Sequence, residues 1–225
     1  MSNNQGIVVV VTGAGSGIGK ATVARLADDG AKVVAVDLTD RSLEWTDDLD
    51  AVISLAGDVT DPALNERMVS LAVDSFGRLD GAALNAGILV QGDITRGSMS
   101  DFDRVMDVNV RGVALGLKST VEALAPAGGS IAITGSVSGL RGDSGLWAYN
   151  ASKGAVVNLA RAAALDLGHL NIRVNAVGPG SIDTDMMAVV YATPGAMTKV
   201  MSRNPLKRIG SQREIGDDAA FLASS

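Results

Sequence analysis

Tyr149 and Lys153 stand four residues apart in Tyr149-Asn150-Ala151-Ser152-Lys153, a spacing that puts both on one face of a helix. A free phenol titrates near ~10, and a neighbouring ammonium favours its ionised form. A tyrosine tuned in this way can pass a proton to or from a substrate oxygen near neutral pH. Taken alone, the pair is a common surface arrangement. Ser136 changes its weight, because it follows the apolar stretch Ser130–Thr134. A hydroxyl at the C-terminal end of a strand faces the crevice where ligands bind in open α/β sheets.

A second group of residues could hold an anion. The apolar run Ile7–Val11 leads straight into Thr12-Gly13-Ala14-Gly15-Ser16-Gly17-Ile18-Gly19, and a helix pattern opens at once. Glycines at such a turn let backbone N–H groups approach a pyrophosphate at the helix N-terminus. The spacing here is Gly-x-x-x-Gly-x-Gly, and a tight loop without a ligand is the plain alternative. Asp37 closes the second apolar run. A carboxylate at that place accepts hydrogen bonds from the adenosine ribose and repels a 2′-phosphate. With no Arg or Lys in the turn before Lys20, NAD is expected rather than NADP. Asp58-Val59 ends the third run, where Asp58 either meets the adenine amino group or caps the strand.

The elements that must position these residues alternate from end to end. Strands are expected at Ile7–Val11, Lys32–Val36, Ala51–Leu55, Leu79–Leu84, Ser130–Thr134 and Asn171–Val177, several as continuous apolar runs that suit a sheet buried on both faces. Helices are expected at Ile18–Asp29, Pro62–Phe76, Phe102–Leu124 and Tyr149–Leu167, with Asp61 as N-cap of the second. Gly30 and Gly168 fall just past helices, where a left-handed closing residue is needed. This alternation implies an α/β fold: one domain over 1–225, built on a doubly wound parallel sheet with helices on both faces. Met186–Asn204, with four methionines, reads as an excursion that either covers a pocket or fills the core.

The chain has 225 residues, a net charge of −6 and no cysteine. These values exclude disulfide frameworks, thiolate metal sites and cysteine nucleophiles, and weigh against a nucleic-acid partner. Ile7–Val11 is too short to span a bilayer, and no secretion signal precedes it. A cytoplasmic protein without a membrane partner is expected. The single histidine, His169, reads as a helix-end or solvated side chain. The runs Asp47-Asp48-x-Asp50 and Asp217-Asp218 read as solvated surface, and Trp147 as a pocket-mouth or interface residue.

Thr12-Gly13-x-x-x-Gly17-Ile18-Gly19, Asn85-Ala86-Gly87, Asn109, Ser136, Tyr149-x-x-x-Lys153 and Pro179-Gly180 together resemble the short-chain dehydrogenase/reductase family, from Ile7 to about Ser225. The resemblance implies a Rossmann-type fold and an oxidoreductase that moves hydride between NAD(H) and a small, fairly apolar secondary alcohol or ketone. By that resemblance Tyr149 is the general acid/base and Ser136 holds the substrate oxygen. Lys153 binds the nicotinamide ribose and lowers the tyrosine pKa, and Asn109 supports a water in the proton relay. Gly13, Ser16, Gly17, Ile18 and Gly19 would hold the pyrophosphate, with Asn85, Ala86 and Gly87 shaping the cofactor pocket. Pro179, Gly180, Ile182 and Thr184 would lie along the nicotinamide. Ile88, Leu89 and Val90 suggest apolar pocket walls. A homo-oligomer, tetramer or dimer, is implied. Family members usually add a further strand after the helix matching Glu214–Ser224, a strand not found within this sequence. Two other readings remain at this point: a 3-oxoacyl thioester reductase of the same family, and a dinucleotide-binding regulator without turnover.

Overall fold

The structure is a computed structural model that describes residues 4–192 and 194–224. Thr193, within the Met186–Asn204 segment, and Ser225, where the resemblance ends, lie outside the described residues. The elements in chain order are β1 (Val8–Thr12), α1 (Gly17–Asp28), β2 (Lys32–Asp37), a short α2 (Asp40–Leu43), β3 (Val52–Ala56), α3 (Pro62–Phe76) and β4 (Gly81–Leu84). They continue with α4 (Met99–Met106), α5 (Gly112–Leu124), β5 (Gly129–Thr134), α6 (Trp147–Leu167), β6 (Ile172–Val177), α7 (Asp185–Tyr191), α8 (Ala196–Arg203) and α9 (Gln212–Ala223).

All strand pairs are parallel, in the order β3-β2-β1-β4-β5-β6. The strands alternate their side chains between two faces, and helices cover both. Val8 and Val10 join Val34, Val36, Leu84 and Ile131 on the face packed by α3, α5 and α6, with Met68, Leu117 and Val156 from those helices. Val9 and Val11 join Val33, Ala35, Ala83 and Ala132 on the other face, against Val23 and Leu26 of α1 and Ala220 and Ala223 of α9. Burying each such valine contributes about 1.5–3 kcal/mol, which is why β1 reads as an unbroken apolar run. This is the Rossmann-type arrangement. β1 pairs with β2 on one side and β4 on the other, so the crossovers diverge and a crevice opens where β1 and β4 end.

The differences from the sequence reading are local. The expected helix Phe102–Leu124 starts earlier, at Met99, because the Ser98 hydroxyl accepts from the Ser100 N–H at 3.1 Å. It is also interrupted by a π turn over Asp107–Arg111. Gly30 has φ +87° and closes α1 as expected, but Gly168 has φ −57° and opens a 3₁₀ turn; the left-handed residue before β6 is Asn171, at φ +58°. Met186–Asn204 holds most of α7 and all of α8. Asp217, expected as solvated, pairs with Arg25 at 3.2 Å, whereas Asp47, Asp48, Asp50 and His169 are exposed. Trp147 packs on Phe102 of α4 with ring centres 5.0 Å apart. No helix among the described residues is long and apolar enough to cross a membrane.

Candidate active site

The crevice between the ends of β1 and β4 widens into a cleft of about 1630 Å³. That exceeds the roughly 300–1,000 Å³ of a pocket for one drug-sized molecule and leaves room for a dinucleotide beside a substrate. Its floor is set by Gly13 and Asn85. Gly13 has φ +67°, and a Cβ there would lie 2.8 Å from the Ala86 Cα and 2.9 Å from the Asn85 amide nitrogen. Asn85 donates from Nδ2 to the Gly13 carbonyl at 3.2 Å and accepts the Thr134 hydroxyl at 3.0 Å. The Thr12 hydroxyl accepts the Asn85 and Ala86 N–H groups at 3.0 and 3.2 Å. The ends of β1, β4 and β5 are thereby fastened together. Gly19 lies behind this floor rather than on the cleft wall, since a Cβ there would meet the Gly13 carbonyl oxygen at 1.9 Å.

Ser16 is the N-cap of α1 but makes no side-chain cap bond, so neither that hydroxyl nor the first-turn amides at Gly17 and Ile18 are taken up by capping. All three residues line the cleft. Asp37 also lines it: one carboxylate oxygen accepts the Gly15 N–H at 2.8 Å, the other the Leu38 N–H at 2.8 Å and the Ser42 hydroxyl at 2.9 Å. A carboxylate has about four lone-pair sites, so one on the Gly15-bonded oxygen is left for a ligand donor. Asp58, exposed, accepts the Thr60 N–H at 2.9 Å, and Val59 is buried beside it on the wall. Ala86, Gly87, Pro179, Gly180, Ile182 and Thr184 complete this side. The Pro179 carbonyl accepts the Val137 N–H at 3.0 Å, which ties that segment beside Ser136. An anion-accepting helix start followed by a carboxylate at the next strand end is a donor set that fits a dinucleotide.

The three residues singled out for chemistry converge at the other end. Ser136 is 7% exposed, in extended backbone just past β5, and its Oγ accepts the Ser138 N–H at 3.1 Å. Tyr149 and Lys153 project from the first turns of α6, and the phenol lies near the Ser136 hydroxyl. Lys153 is 4% exposed; its Nζ donates to the Thr134 carbonyl at 2.7 Å and lies 5.7 Å from the centre of the Tyr149 ring. Burial pushes the Tyr149 phenol above its ordinary value, with the Ser136 hydroxyl pulling the other way. Desolvation is the larger effect on the phenol, and the lowering expected of Lys153 would act against it. Burial also brings the Lys153 ammonium down to about 8.

Asn109 does not itself line the cleft. It is fully buried off the cleft wall, on the π turn. Its Oδ1 accepts the Ile88 N–H at 2.8 Å, and its Nδ2 donates to the Ile88 carbonyl at 2.9 Å and to Ser152 Oγ at 3.0 Å. With these bonds the carboxamide braces the wall after Gly87. The substrate end is also more polar than expected. Ile88, Leu89, Met186 and Met187 line it, but so do Gln91, Asp143, Lys199 and Arg203, while Val90, Met197 and Met201 lie off its wall. Thr134, Ser138 and Asp143 were missed, since hydroxyls and carboxylates at loop positions carry no periodic signal.

Comparison with known proteins agrees with this geometry. The family model described as enoyl-(acyl carrier protein) reductase, of short-chain dehydrogenase/reductase type, matches residues 13–225. An uncharacterized oxidoreductase of Thermotoga maritima is 39% identical over 99% of this chain and 95% of its own. Levodione reductase of Leifsonia aquatica is 38% identical over 96% of this chain and 87% of its own, as is meso-2,3-butanediol dehydrogenase of Serratia marcescens. A crystal structure of levodione reductase superposes with a TM-score of 0.92 at 36% identity, covering 98% of this chain and 91% of that one. The chain belongs to the short-chain dehydrogenase/reductase family. It is an oxidoreductase of the kind that uses a nicotinamide dinucleotide.

Proposed function

We propose that the protein is an NAD(H)-dependent alcohol dehydrogenase/carbonyl reductase for small secondary alcohols and ketones. The observation that carries this reading is the meeting of Ser136, Tyr149 and buried Lys153 at one end of a cleft whose other end holds Asp37 and the start of α1. The bound dinucleotide supplies the hydride acceptor or donor. Tyr149 holds or receives the proton of the substrate oxygen, and Ser136 orients that oxygen by hydrogen bonding. Lys153, charged at neutral pH and held by Thr134, favours the ionised phenol when the alcohol gives up its proton. Asp37 favours NAD because a second anion beside a carboxylate is repelled. The mixed polar and apolar wall suits a molecule with one or two oxygens on a hydrocarbon frame, in keeping with the dione and diol named for its relatives.

The test follows NADH absorbance with NAD or NADP and cyclohexanol, 2,3-butanediol, a cyclic dione and acetoacetyl-CoA. Turnover of the alcohols and dione with NAD is expected. Turnover of the thioester alone moves the substrate to the acyl class, and dinucleotide binding without consumption across the panel favours a regulator.

A further inference from the structure

We propose that Asp143 is a positioning residue that fastens the catalytic serine turn, the catalytic helix and α8 to one another. It lies between the 3₁₀ turn Val137–Gly139 and α6, and reaches all three through separate atoms. Its backbone carbonyl accepts from the side-chain amide of Asn150, the residue after Tyr149, at 2.8 Å. One carboxylate oxygen accepts the Ser138 hydroxyl at 2.8 Å, and the Ser138 N–H donates to Ser136 Oγ at 3.1 Å. The other oxygen faces the Arg203 guanidinium at 3.6 Å and that of Arg141 at 3.8 Å. The Asp143 side chain is 19% exposed, so its bond to Ser138 is sheltered, whereas the Arg203 side chain is 53% exposed.

These two halves act differently. The Ser138 bond fixes the turn, and with it the N–H that occupies a lone pair on Ser136; the Ser136 proton is then left to point at the phenol or the substrate oxygen. The Arg203 pair is a solvent-facing contact at the last residue of α8, weak enough to open and close. Lys199 and Val200, on the same helix, line the substrate end of the cleft. Asp143 therefore holds both α8 over the substrate and the turn that aims the catalytic serine.

The kinetic part of the test rests on the proposed activity; the exchange part does not. Amide hydrogen exchange is followed in the segments 136–146 and 185–203, beside KM and kcat for cyclohexanol with NAD. Arg203→Gln should speed exchange in 185–203 about fivefold, as 0.5 M salt should in the wild type, and raise KM several-fold with kcat within about twofold. Asp143→Asn keeps an acceptor for Ser138 and should behave as Arg203→Gln does. Asp143→Ala should add faster exchange in 136–146 and a fall in kcat of about tenfold, with NADH affinity within about twofold. If Asp143→Ala does not fold, Ser138→Ala carries the serine half: slower turnover and faster exchange in 136–146, with 185–203 unchanged. Exchange in 185–203 identical between Arg203→Gln and wild type overturns the α8 half. Exchange in 136–146 unchanged in Asp143→Ala or Ser138→Ala overturns the serine half. A wild type that turns over nothing counts against the proposed activity, and the exchange results still decide this proposal.

Discussion

The ammonium of Lys153 donates to the backbone carbonyl of Thr134 at 2.7 Å, so the helix bearing Tyr149 is pinned to the last residue of the strand that leads to Ser136. A charge is being held in a buried place for the sake of geometry, and that has a cost. The Lys153 ammonium is lowered to about 8, against an ordinary 10.5. Between those values the unfolded chain holds a proton that the folded chain has released, so stability rises with pH across that window. At pH 7 the penalty is fully present, roughly 3 kcal/mol as an upper figure. Lys153→Met should abolish turnover. Its stability relative to wild type should be more favourable at pH 7 than at pH 10.5 by up to about 3 kcal/mol, the lost bond to Thr134 lowering both values alike. Urea unfolding at both pH values reads this directly, and a difference that does not change with pH contradicts it.

Tyr149 carries the next expectation. Burial raises its phenol above the ordinary value, so the neutral form dominates at pH 7. A neutral phenol can donate to a carbonyl oxygen but cannot accept the proton of an alcohol. Alcohol oxidation should therefore climb with pH by up to tenfold per unit, while carbonyl reduction stays level and then falls as the phenol ionises. Tyr149→Phe should lower both by orders of magnitude, with NADH binding nearly intact. Oxidation that is flat from pH 6 to 9 assigns the proton to another group.

How much of this could be read beforehand follows from where the constraint is local. β1 was legible because both its faces are buried, which forces valine at Val8, Val9, Val10 and Val11 alike. The Gly13 turn was legible because its backbone conformation and its contact with Asn85 exclude a side chain. Ser136, Tyr149 and Lys153 were legible only as a set, each being common alone. The π turn was not, since Asp107–Arg111 carries no Gly or Pro that would mark a break, and the Asn109 bonds to Ile88 that go with it form only in three dimensions. Nor was the Asp143 junction: its partners Ser138, Asn150 and Arg203 come together only in three dimensions.

Asp37 has a double duty that shapes the outcome of changing it. Its carboxylate anchors the glycine turn through the Gly15 N–H and also faces the cleft. Asp37→Asn removes the negative charge and keeps one acceptor oxygen. The ratio of kcat/KM for NADP over NAD should rise at least about tenfold, because repulsion of a 2′-phosphate is relieved. NAD itself should bind several-fold more weakly, since one of the ordered contacts at the turn or the ribose is lost. Steady-state kinetics with both dinucleotides measures the two effects separately. A ratio that stays at the wild-type value places the discrimination elsewhere in the cleft.

Asn109 supplies the sharpest test of the scaffold behind the cleft. The residue is fully buried and makes three hydrogen bonds, two to the backbone of Ile88 and one to Ser152. Asn109→Ala leaves the partly buried Ile88 N–H and carbonyl without their partner, at a cost of about 1–3 kcal/mol. Asn109→Asp keeps the acceptor for the Ile88 N–H but loses both donors and buries a carboxylate, so it should be worse still. Denaturant midpoints should rank wild type above Ala above Asp at pH 7, with the Ala and Asp variants drawing together as pH falls and the carboxyl takes up a proton. Turnover should fall in both variants through movement of the Gly87–Ile88 wall, and raising the substrate concentration should not restore it. An alanine variant as stable as wild type means that water replaces the carboxamide at Ile88, and the brace assigned to Asn109 is then not needed to hold the wall.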